Sequence, residues 1–277
     1  MDRGSVGRCK DGAVASLAAV VIPVHDGARF LADALQSVAD QHLDLEVVVV
    51  DDGSTDDSAQ IALDLGATCI RQARRGPASA RNAGIAASTA PLLTFLDADD
   101  LIRPGAIARQ ADYLAAHPDT DGVMGYQQYE VLDGVALPDW AVADKVGRPD
   151  ETSRPNVFAS VIRRSTFDRV GCFDPRFRLN EDGDWLMRAN EMGAVIDVVS
   201  DVVRVRRIHG ANLTYDTEGL RHWMFEALGE RARHDRGRGR SSPQTQPAAE
   251  SSSTACPICG EGTRTSTSLM GRRPMSG

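Results

Sequence analysis

Three acidic residues fall within four positions directly after an apolar run. The run is APLLTFL, and Asp97, Asp99 and Asp100 belong to the stretch FLDADD that ends it. A carboxylate at the end of a buried strand is costly unless a cation or a hydrogen-bond donor compensates it. Aspartate is also a common turn residue, so a solvated turn is the alternative interpretation. In an extended chain Asp97 and Asp99 would point to the same side, because side chains alternate along a strand.

The chain around this stretch alternates between two hydrophobic patterns. Apolar, β-branched runs predict strands at 19–24, 45–51 and 91–97, with a weaker one at 67–71. Helical spacing of apolar residues predicts helices at 28–41, 54–66, 76–88 and 103–117. Ser54 or Thr55 can cap the second of these helices, and Pro77 begins the third.

Strands that are continuous apolar runs and alternate with helices indicate a parallel sheet covered on both faces. The pattern therefore predicts a Rossmann-like half over about 18–118. Ligands of such sheets bind beyond the carboxyl ends of the strands. The residues at these ends are Pro23, His25, Asp51, Asp52, Asp97 and Asp99. We therefore expect several acidic side chains to converge on one edge of the sheet.

The second half of the chain has a mixed pattern. Strands are predicted at 121–131 and 157–163, and two more in AVIDVV and the polar VVRVRRI, with helices at 165–171 and 181–193. Residues 133–155 are polar and loop-like. From Gly237 the composition changes to RGRGRSSPQTQPAAE, which cannot form a core and predicts disorder.

Composition excludes several classes of protein. The chain has 277 residues, of which 42% are hydrophobic, enough to bury a sizeable core. The formal net charge of -8 argues against a nucleic-acid-binding protein. Five cysteines with one close pair do not form a disulfide framework, so we expect a reducing, cytoplasmic compartment. The longest apolar run, AVASLAAVVIPV, is shorter than the ~20 residues of a membrane span, so none is predicted and only peripheral membrane association stays open.

Three known strand–turn–helix phosphate sites do not match. A dinucleotide site needs G-x-G-x-x-G after the first strand, where PVHDGARF has only Gly27. A P-loop needs a lysine after its second glycine, and neither Lys10 nor Lys145 is so placed. An aspartyl-nucleophile phosphatase needs D-x-D after a strand, and VVVVDDGSTDD lacks the second aspartate at that spacing.

Five segments together resemble the family 2 glycosyltransferases. They are, in order, VVIPVHDGARFLADALQSV, VVVVDDGSTDDS, RRGPASARNAGI, FLDADDLIRPGAI and NEDGDWLMRA, and the resemblance covers about 18–215. It implies the GT-A fold, an α/β architecture with a Rossmann-like, mostly parallel central sheet, helices on both faces and a smaller mixed region on the acceptor side. It also implies transfer of a sugar from a nucleoside-diphosphate donor, usually with inversion.

The resemblance divides the chain into functional segments. It implies an N-terminal extension at 1–17, a nucleotide-sugar-binding half at 18–118, an acceptor-binding half at 119–236 and the tail at 237–277. UDP- or GDP-linked sugars are the expected donors. The acceptor stays open between a lipid carrier, a polysaccharide, a protein and a small molecule. A GT-A domain that binds a nucleotide sugar or a partner without turnover is the alternative function.

In this family the D-x-D aspartates meet a divalent cation and the donor. The resemblance assigns Asp99 to a Mg²⁺ or Mn²⁺ ion and Asp97 to the donor sugar or ribose. Oxygen ligands and phosphates suit these two metals. It also assigns His209, in RRIHGANLT, to the metal or to phosphate, against the alternative of a solvated loop histidine. Asp100 is interpreted as a supporting residue.

The family's nucleotide pocket maps onto the ends of the first two strands. The resemblance assigns base binding to Pro23, His25 and Asp52, although the family usually has an aromatic residue such as tyrosine at position 25. It assigns donor contact to Arg81, and arginine suits a diphosphate or sugar hydroxyls. The alternatives are a turn at Asp52 and a helix-surface salt bridge at Arg81.

The stretch NEDGDWLMRA supplies the expected general base. The resemblance assigns this role to Asp182, and a helix N-terminus is expected to keep it ionised near pH 7. Simple capping of that helix by Glu181, Asp182 or Asp184 is the alternative. Trp185 is expected in the core or beneath the acceptor. Cys256 and Cys259 have zinc-knuckle spacing without a second pair, so they are assigned to the tail.

Overall fold

The computed structural model describes residues 16–132, 134–135, 157–177, 179–210 and 212. The predictions for the loop at 136–155, the tail at 237–277 and the pair Cys256 and Cys259 lie outside these residues. So does most of the N-terminal extension.

The first half of the chain alternates strands with helices as the hydrophobic pattern predicts. Its elements are β1 (Ala18–Val24), α1 (Ala28–Ala39), β2 (Leu45–Asp51), α2 (Ser58–Asp64), β3 (Thr68–Arg71), α3 (Pro77–Ala87) and β4 (Leu92–Phe95). Leu31, Leu35 and Val38 of α1 lie at helical spacing and are buried. Pro77 stands at the first position of α3, where its missing N–H costs nothing.

The second half contributes shorter helices and longer strands. Its elements are β5 (Leu101–Ile102), α4 (Ala106–Ala116), β6 (Gly122–Val131), a 3₁₀ turn (Val157–Ala159), β7 (Ser160–Arg163), α5 (Arg164–Val170), α6 (Glu181–Glu191) and β8 (Ile196–Ile208). Asn180 precedes α6 in the left-handed region, with φ of 66°. Three acidic residues fall in the first turn of α6, where the helix dipole favours them.

The strands form one sheet in the order β3-β2-β1-β4-β7-β6-β8-β5. β1 pairs in parallel with β2 and β4, and β3 pairs in parallel with β2. β7 is antiparallel to both β4 and β6, so β6 runs in the same direction as β4, and β8 is parallel to β6. The carboxyl ends of β1, β2, β4 and β8 therefore lie on one edge of the sheet.

Each face of the sheet is covered by its own hydrophobic cluster. Val20 and Ile22 of β1 point to one face and pack with residues of α1 and α4. Ala19 and Val21 point to the other face, where α3, α5 and α6 pack. On that second face Trp185 of α6 stacks on Phe167, with ring centroids 4.4 Å apart, and is fully buried. Trp185 is thus a core residue.

The predicted fold class is confirmed, and the differences concern single elements. AVIDVV and VVRVRRI form one strand, β8, and the two-residue β5 was not predicted. β4 ends at Phe95, so Asp97 and Asp99 lie in the turn after the strand and do not alternate along it. α2 begins at Ser58 and not near Ser54, whose hydroxyl accepts a hydrogen bond from the Asp26 N–H. The functional division at residue 118 stays a prediction. Over the ranges given above, no helix is long and apolar enough to cross a membrane.

Candidate active site

The turn after β4 brings three carboxylates together. The Asp100 N–H donates to the Asp97 carbonyl at 3.0 Å, which closes the turn. One oxygen from each of Asp97, Asp99 and Asp100 lies within 4.8 Å of the others. The side chains of Asp97 and Asp99 are 32% and 29% exposed, whereas that of Asp100 is only 2% exposed. Only the first two can therefore be reached by a ligand.

Two buried arginines compensate Asp97 and Asp100. Arg81 on α3 donates through Nη2 to Asp97 Oδ1 at 2.6 Å. Arg204 on β8 donates through Nη2 to both Asp97 and Asp100, and through Nε to Asp100 at 2.8 Å. The backbone N–H of Arg207 supplies the other oxygen of Asp100 with a donor at 2.8 Å. Both oxygens of each carboxylate are thus engaged.

This arrangement separates the pKa values of the two aspartates. Burial opposes ionisation of Asp97, but the guanidinium groups of Arg204 and Arg81 outweigh it and lower its pKa. Burial raises the pKa of Asp100 to about 6, helped by repulsion from Asp99 and Asp97 and opposed by Arg204. Burial also opposes the charge of Arg204, yet Asp100 and Asp97 raise its pKa. Arg204 therefore keeps its positive charge inside the cluster.

Asp99 is the member of the cluster whose carboxylate has no guanidinium partner among the described residues. His209 Nε2 lies 2.9 Å from Asp99 Oδ2, and Asn212 donates to the same oxygen at 3.0 Å. The His209 ring packs against Phe30, with centroids 4.4 Å apart. A partly exposed carboxylate next to other acidic oxygens fits a hard divalent cation, and His209 is close enough to share it. The structure therefore brings together the two residues predicted to bind metal.

The predicted base pocket lies at the ends of β1 and β2. Pro23 is half-buried in β1, and His25 Nδ1 lies 3.0 Å from the Asp52 carbonyl. The Asp52 carboxylate is buried and accepts hydrogen bonds from Gln72 Nε2 and from the N–H groups of Arg75 and Gly76. Asp52 therefore holds the loop that leads into α3 as well as bordering the pocket.

The first turn of α6 presents three acidic residues in different surroundings. Glu181 is buried and pairs with Arg81, and burial raises its pKa to about 7 against the effect of that guanidinium. Asp184 pairs with Arg188 at 2.9 Å, one turn later. The carboxylate of Asp182 has hydrogen bonds from its own N–H and that of Gly183, and no described side chain forms an ion pair with it. Asp182 is therefore the acid of this turn that can accept a new partner.

The sequence predicted that the helix N-terminus would set the pKa of Asp182, and burial has the larger effect instead. Burial raises its pKa, and Arg81 together with the two backbone N–H groups only opposes that effect. The individual roles of Pro23, His25, Asp52, Arg81, Asp97, Asp99, Asp182 and His209 stay predictions.

Sequence reasoning missed the arginines of β8 and one aromatic residue. Arg204 and Arg207 fix the 97–100 turn to β8, and the Arg207 Nε donates to the Asp99 carbonyl at 2.5 Å. The Phe158 ring lies 4.0 Å from the guanidinium carbon of Arg81 and 5.7 Å from that of Arg204. The signal was the polar strand VVRVRRI, in which arginine recurs among valines and so faces a buried layer.

Comparison with known proteins shows which family these features belong to. The family model described as Glycosyl transferase family 2 matches residues 19–180. An uncharacterized glycosyltransferase of Nostoc sp. is 32% identical over 70% of this chain and 65% of its own length. Succinoglycan biosynthesis protein ExoU of Rhizobium meliloti is 32% identical over 73% of this chain and 66% of its own length. The chain thus spans slightly less than two thirds of these relatives.

Solved structures share the fold at lower identity. TarS of S. aureus in complex with UDP-GlcNAc is 21% identical and has a TM-score of 0.58, over 72% of this chain and 60% of that one. The mannosyltransferase PcManGT of Pyrobaculum calidifontis, in complex with GDP-Man and Mn²⁺, is 21% identical and has a TM-score of 0.59, over 80% of this chain and 65% of that one. With the family model covering more than half of its residues, the chain belongs to glycosyl transferase family 2.

Proposed function

We propose that this protein transfers a sugar from a nucleoside-diphosphate donor to an acceptor hydroxyl, with inversion and in one displacement. The observation that carries the proposal is the position of Arg81. Its guanidinium contacts Asp97 of the donor-side turn and Glu181 at the start of α6. Arg81 therefore joins the donor-side turn, which also carries Asp99, to the start of α6, where Asp182 follows Glu181.

The donor side is formed by the ends of β1, β2 and β4. Pro23 and His25 offer a flat surface for the base, and Asp97 accepts from a sugar or ribose hydroxyl. UDP-GlcNAc in TarS and GDP-Man in PcManGT support a donor linked to UDP or GDP. The name of the succinoglycan relative supports a saccharide acceptor.

Asp99 and His209 are the residues that would hold a Mg²⁺ or Mn²⁺ ion. Mn²⁺ in the PcManGT complex and the carboxylate cluster of this chain both support a divalent metal. When bound, such a cation offsets the negative charge that grows on the departing diphosphate.

On the acceptor side, Asp182 is the general base. An inverting displacement needs a base opposite the leaving group, within hydrogen-bond reach of the attacking hydroxyl. Asp182 takes the proton of that hydroxyl as the new bond to the anomeric carbon forms and the bond to the diphosphate oxygen breaks. Asp97 and Asp99 cannot do this, because they are on the leaving-group side.

The test is a screen of UDP- and GDP-linked sugars, with and without Mn²⁺. We expect one donor to raise the melting temperature and to be hydrolysed slowly in the absence of acceptor, both only with metal. Asp99→Asn should lose both effects, whereas the matched change Asp201→Asn, at an exposed pair with Arg109, should keep them. Metal-dependent stabilisation without turnover, even with saccharide acceptors, would indicate the binding-only alternative. No effect of any donor would contradict the proposal.

A further inference from the structure

Arg204 places a permanent positive charge inside the acidic cluster. Its side chain is 3% exposed and contacts both Asp97 and Asp100. It lies on β8, more than a hundred residues along the chain from these partners. Among the described residues its buried Nη1 has no hydrogen-bond partner, as is also true of Nε in Arg81. Such buried donors are uncommon and need an explanation, and a role towards a ligand is one that fits this site.

The guanidinium changes what the cluster can bind. Three uncompensated carboxylates within 4.8 Å would attract a free dication strongly at a site of low dielectric. Here Arg204 neutralises two of the three, and Arg81 contacts one of these again. A dication approaching Asp99 therefore meets one carboxylate that is held only by His209 and Asn212 among the described side chains, and the repulsion of two nearby guanidinium groups.

We propose that Arg204 is an internal cation that takes the place of a metal between Asp97 and Asp100, so that a divalent ion binds at Asp99 only together with an anionic diphosphate. The negative charge of the two phosphates restores the attraction that the arginines remove. Nη1, which has no hydrogen-bond partner in the described part of the chain, lets Arg204 respond to that charge without leaving its two carboxylates. Arg204 is thus a positioning residue that makes metal and nucleotide binding mutually dependent.

The cost of moving Arg204 supports this assignment. A guanidinium that left the half-buried Asp97 and the buried Asp100 would separate its own charge from both carboxylates, and for the buried charges this is costly. Its contact with the Phe158 ring and its burial hold it further in place. A metal therefore cannot simply displace it, and the available ligands stay Asp99 and His209.

The inference rests on the proposed donor site, but its test measures binding and not turnover. Calorimetric titration of wild-type protein with MnCl₂ alone should give no measurable heat of binding up to millimolar concentrations. With saturating UDP, or GDP in a parallel series, Mn²⁺ should bind at least about tenfold more tightly, and Mn²⁺ should improve the nucleotide affinity by the same factor. Equal Mn²⁺ affinity with and without nucleotide would overturn the inference.

Arg204→Met separates the role of this charge from the rest of the site. It keeps an apolar stem but leaves Asp100 without a guanidinium partner and Asp97 with Arg81 alone, so the melting temperature should fall and Mn²⁺ alone should raise it again. Arg204→Lys keeps the charge and should behave as the wild type, without a response to Mn²⁺ alone. The matched control Arg109→Met removes an exposed arginine paired with Asp201 and should not create a metal site.

The variants distinguish this inference from the proposed function. If Arg204→Met is folded and Mn²⁺ alone does not stabilise it, or if it needs refolding and Mn²⁺ does not aid recovery, Arg204 is not a metal substitute. If no sugar is ever transferred but the coupling between Mn²⁺ and UDP is observed, the proposed function fails and the inference on Arg204 stands. If sugar transfer occurs and Mn²⁺ alone binds the wild type tightly, the proposed function stands and the inference on Arg204 fails.

Discussion

At the scale of single residues, Asp182 differs from its two acidic neighbours in having no ion pair among the described residues. Removing a positioned general base costs about 10² to 10⁴ in rate. We expect Asp182→Asn to lower kcat by that factor while the affinity for UDP or GDP with Mn²⁺ stays unchanged. The control is Asp184→Asn, which loses only a pair with Arg188 on the same helix and should keep most activity. Normal turnover in Asp182→Asn with a loss in Glu181→Gln would move the base to Glu181.

The site residues that could be predicted from the sequence are those that lie close together in one motif. Asp97 and Asp99 stand two positions apart after a recognisable strand, and Glu181 and Asp182 are neighbours at the start of a recognisable helix. Arg204 could not be identified in the same way. Its partners are 104 and 107 residues away, and its strand contains three arginines with nothing to say which of them faces the acidic turn. Only the register of β8 against β6 decides that.

At the scale of elements, long periodic segments were predicted well and short or bent ones were not. β1 and β2 are buried on both faces, so their valine runs leave no ambiguity. β5 has two residues, too few to show any periodicity. β8 has a register shift against β6 near Tyr126, and the irregular alternation that results was interpreted as two strands.

Helix α3, which carries Arg81, is held against β1 by a close approach at Gly84. A Cβ at this position would overlap Val21 Cγ1, and Val21 is fully buried. Alanine gains about 1 kcal/mol in helix propensity over glycine, but overpacking a core costs about 1–3 kcal/mol. We expect Gly84→Ala to lower the free energy of unfolding in urea and to weaken donor binding.

The control for Gly84→Ala is the double variant with Val21→Ala, which makes room for the new methyl group. The two changes should couple favourably by about 0.5–3 kcal/mol, as contacting residues do. Additive effects, or a Gly84→Ala protein as stable as the wild type, would show that α3 can shift away from the sheet.

At the scale of the whole molecule, the sheet brings together groups that the sequence keeps far apart. The turn after β4, the end of β8 and the start of α6 meet around Arg81 and Arg204. The convergence of acidic residues at one edge follows from parallel strands and was predictable. Arg204, which helps to make this convergence stable, was not, because its position depends on the antiparallel β7, which fixes how the second half returns to the first.

This buried network makes the stability of the whole chain depend on pH through Glu181. Its carboxyl group faces Arg81 from α3, Asp97 from the turn after β4 and Asp182 on its own helix, and burial raises its pKa from 4.5 to about 7. The folded state therefore binds more protons than the unfolded state between these two pH values, so stability falls as pH rises through this window. The full shift corresponds to at most about 3 kcal/mol.

Glu181→Gln removes this titration and mimics the neutral acid. We expect it to match the wild type near pH 5 and to be the more stable protein near pH 8, by urea unfolding at both values. The difference should grow between pH 5 and 7, because in this range the unfolded wild type has lost the proton that the folded state still holds, and it should level off once the folded state loses that proton as well. If instead the ion pair with Arg81 has a larger effect on the Glu181 pKa than burial, the wild type will gain stability relative to Glu181→Gln as pH rises. That result would contradict the assignment of the raised pKa to burial.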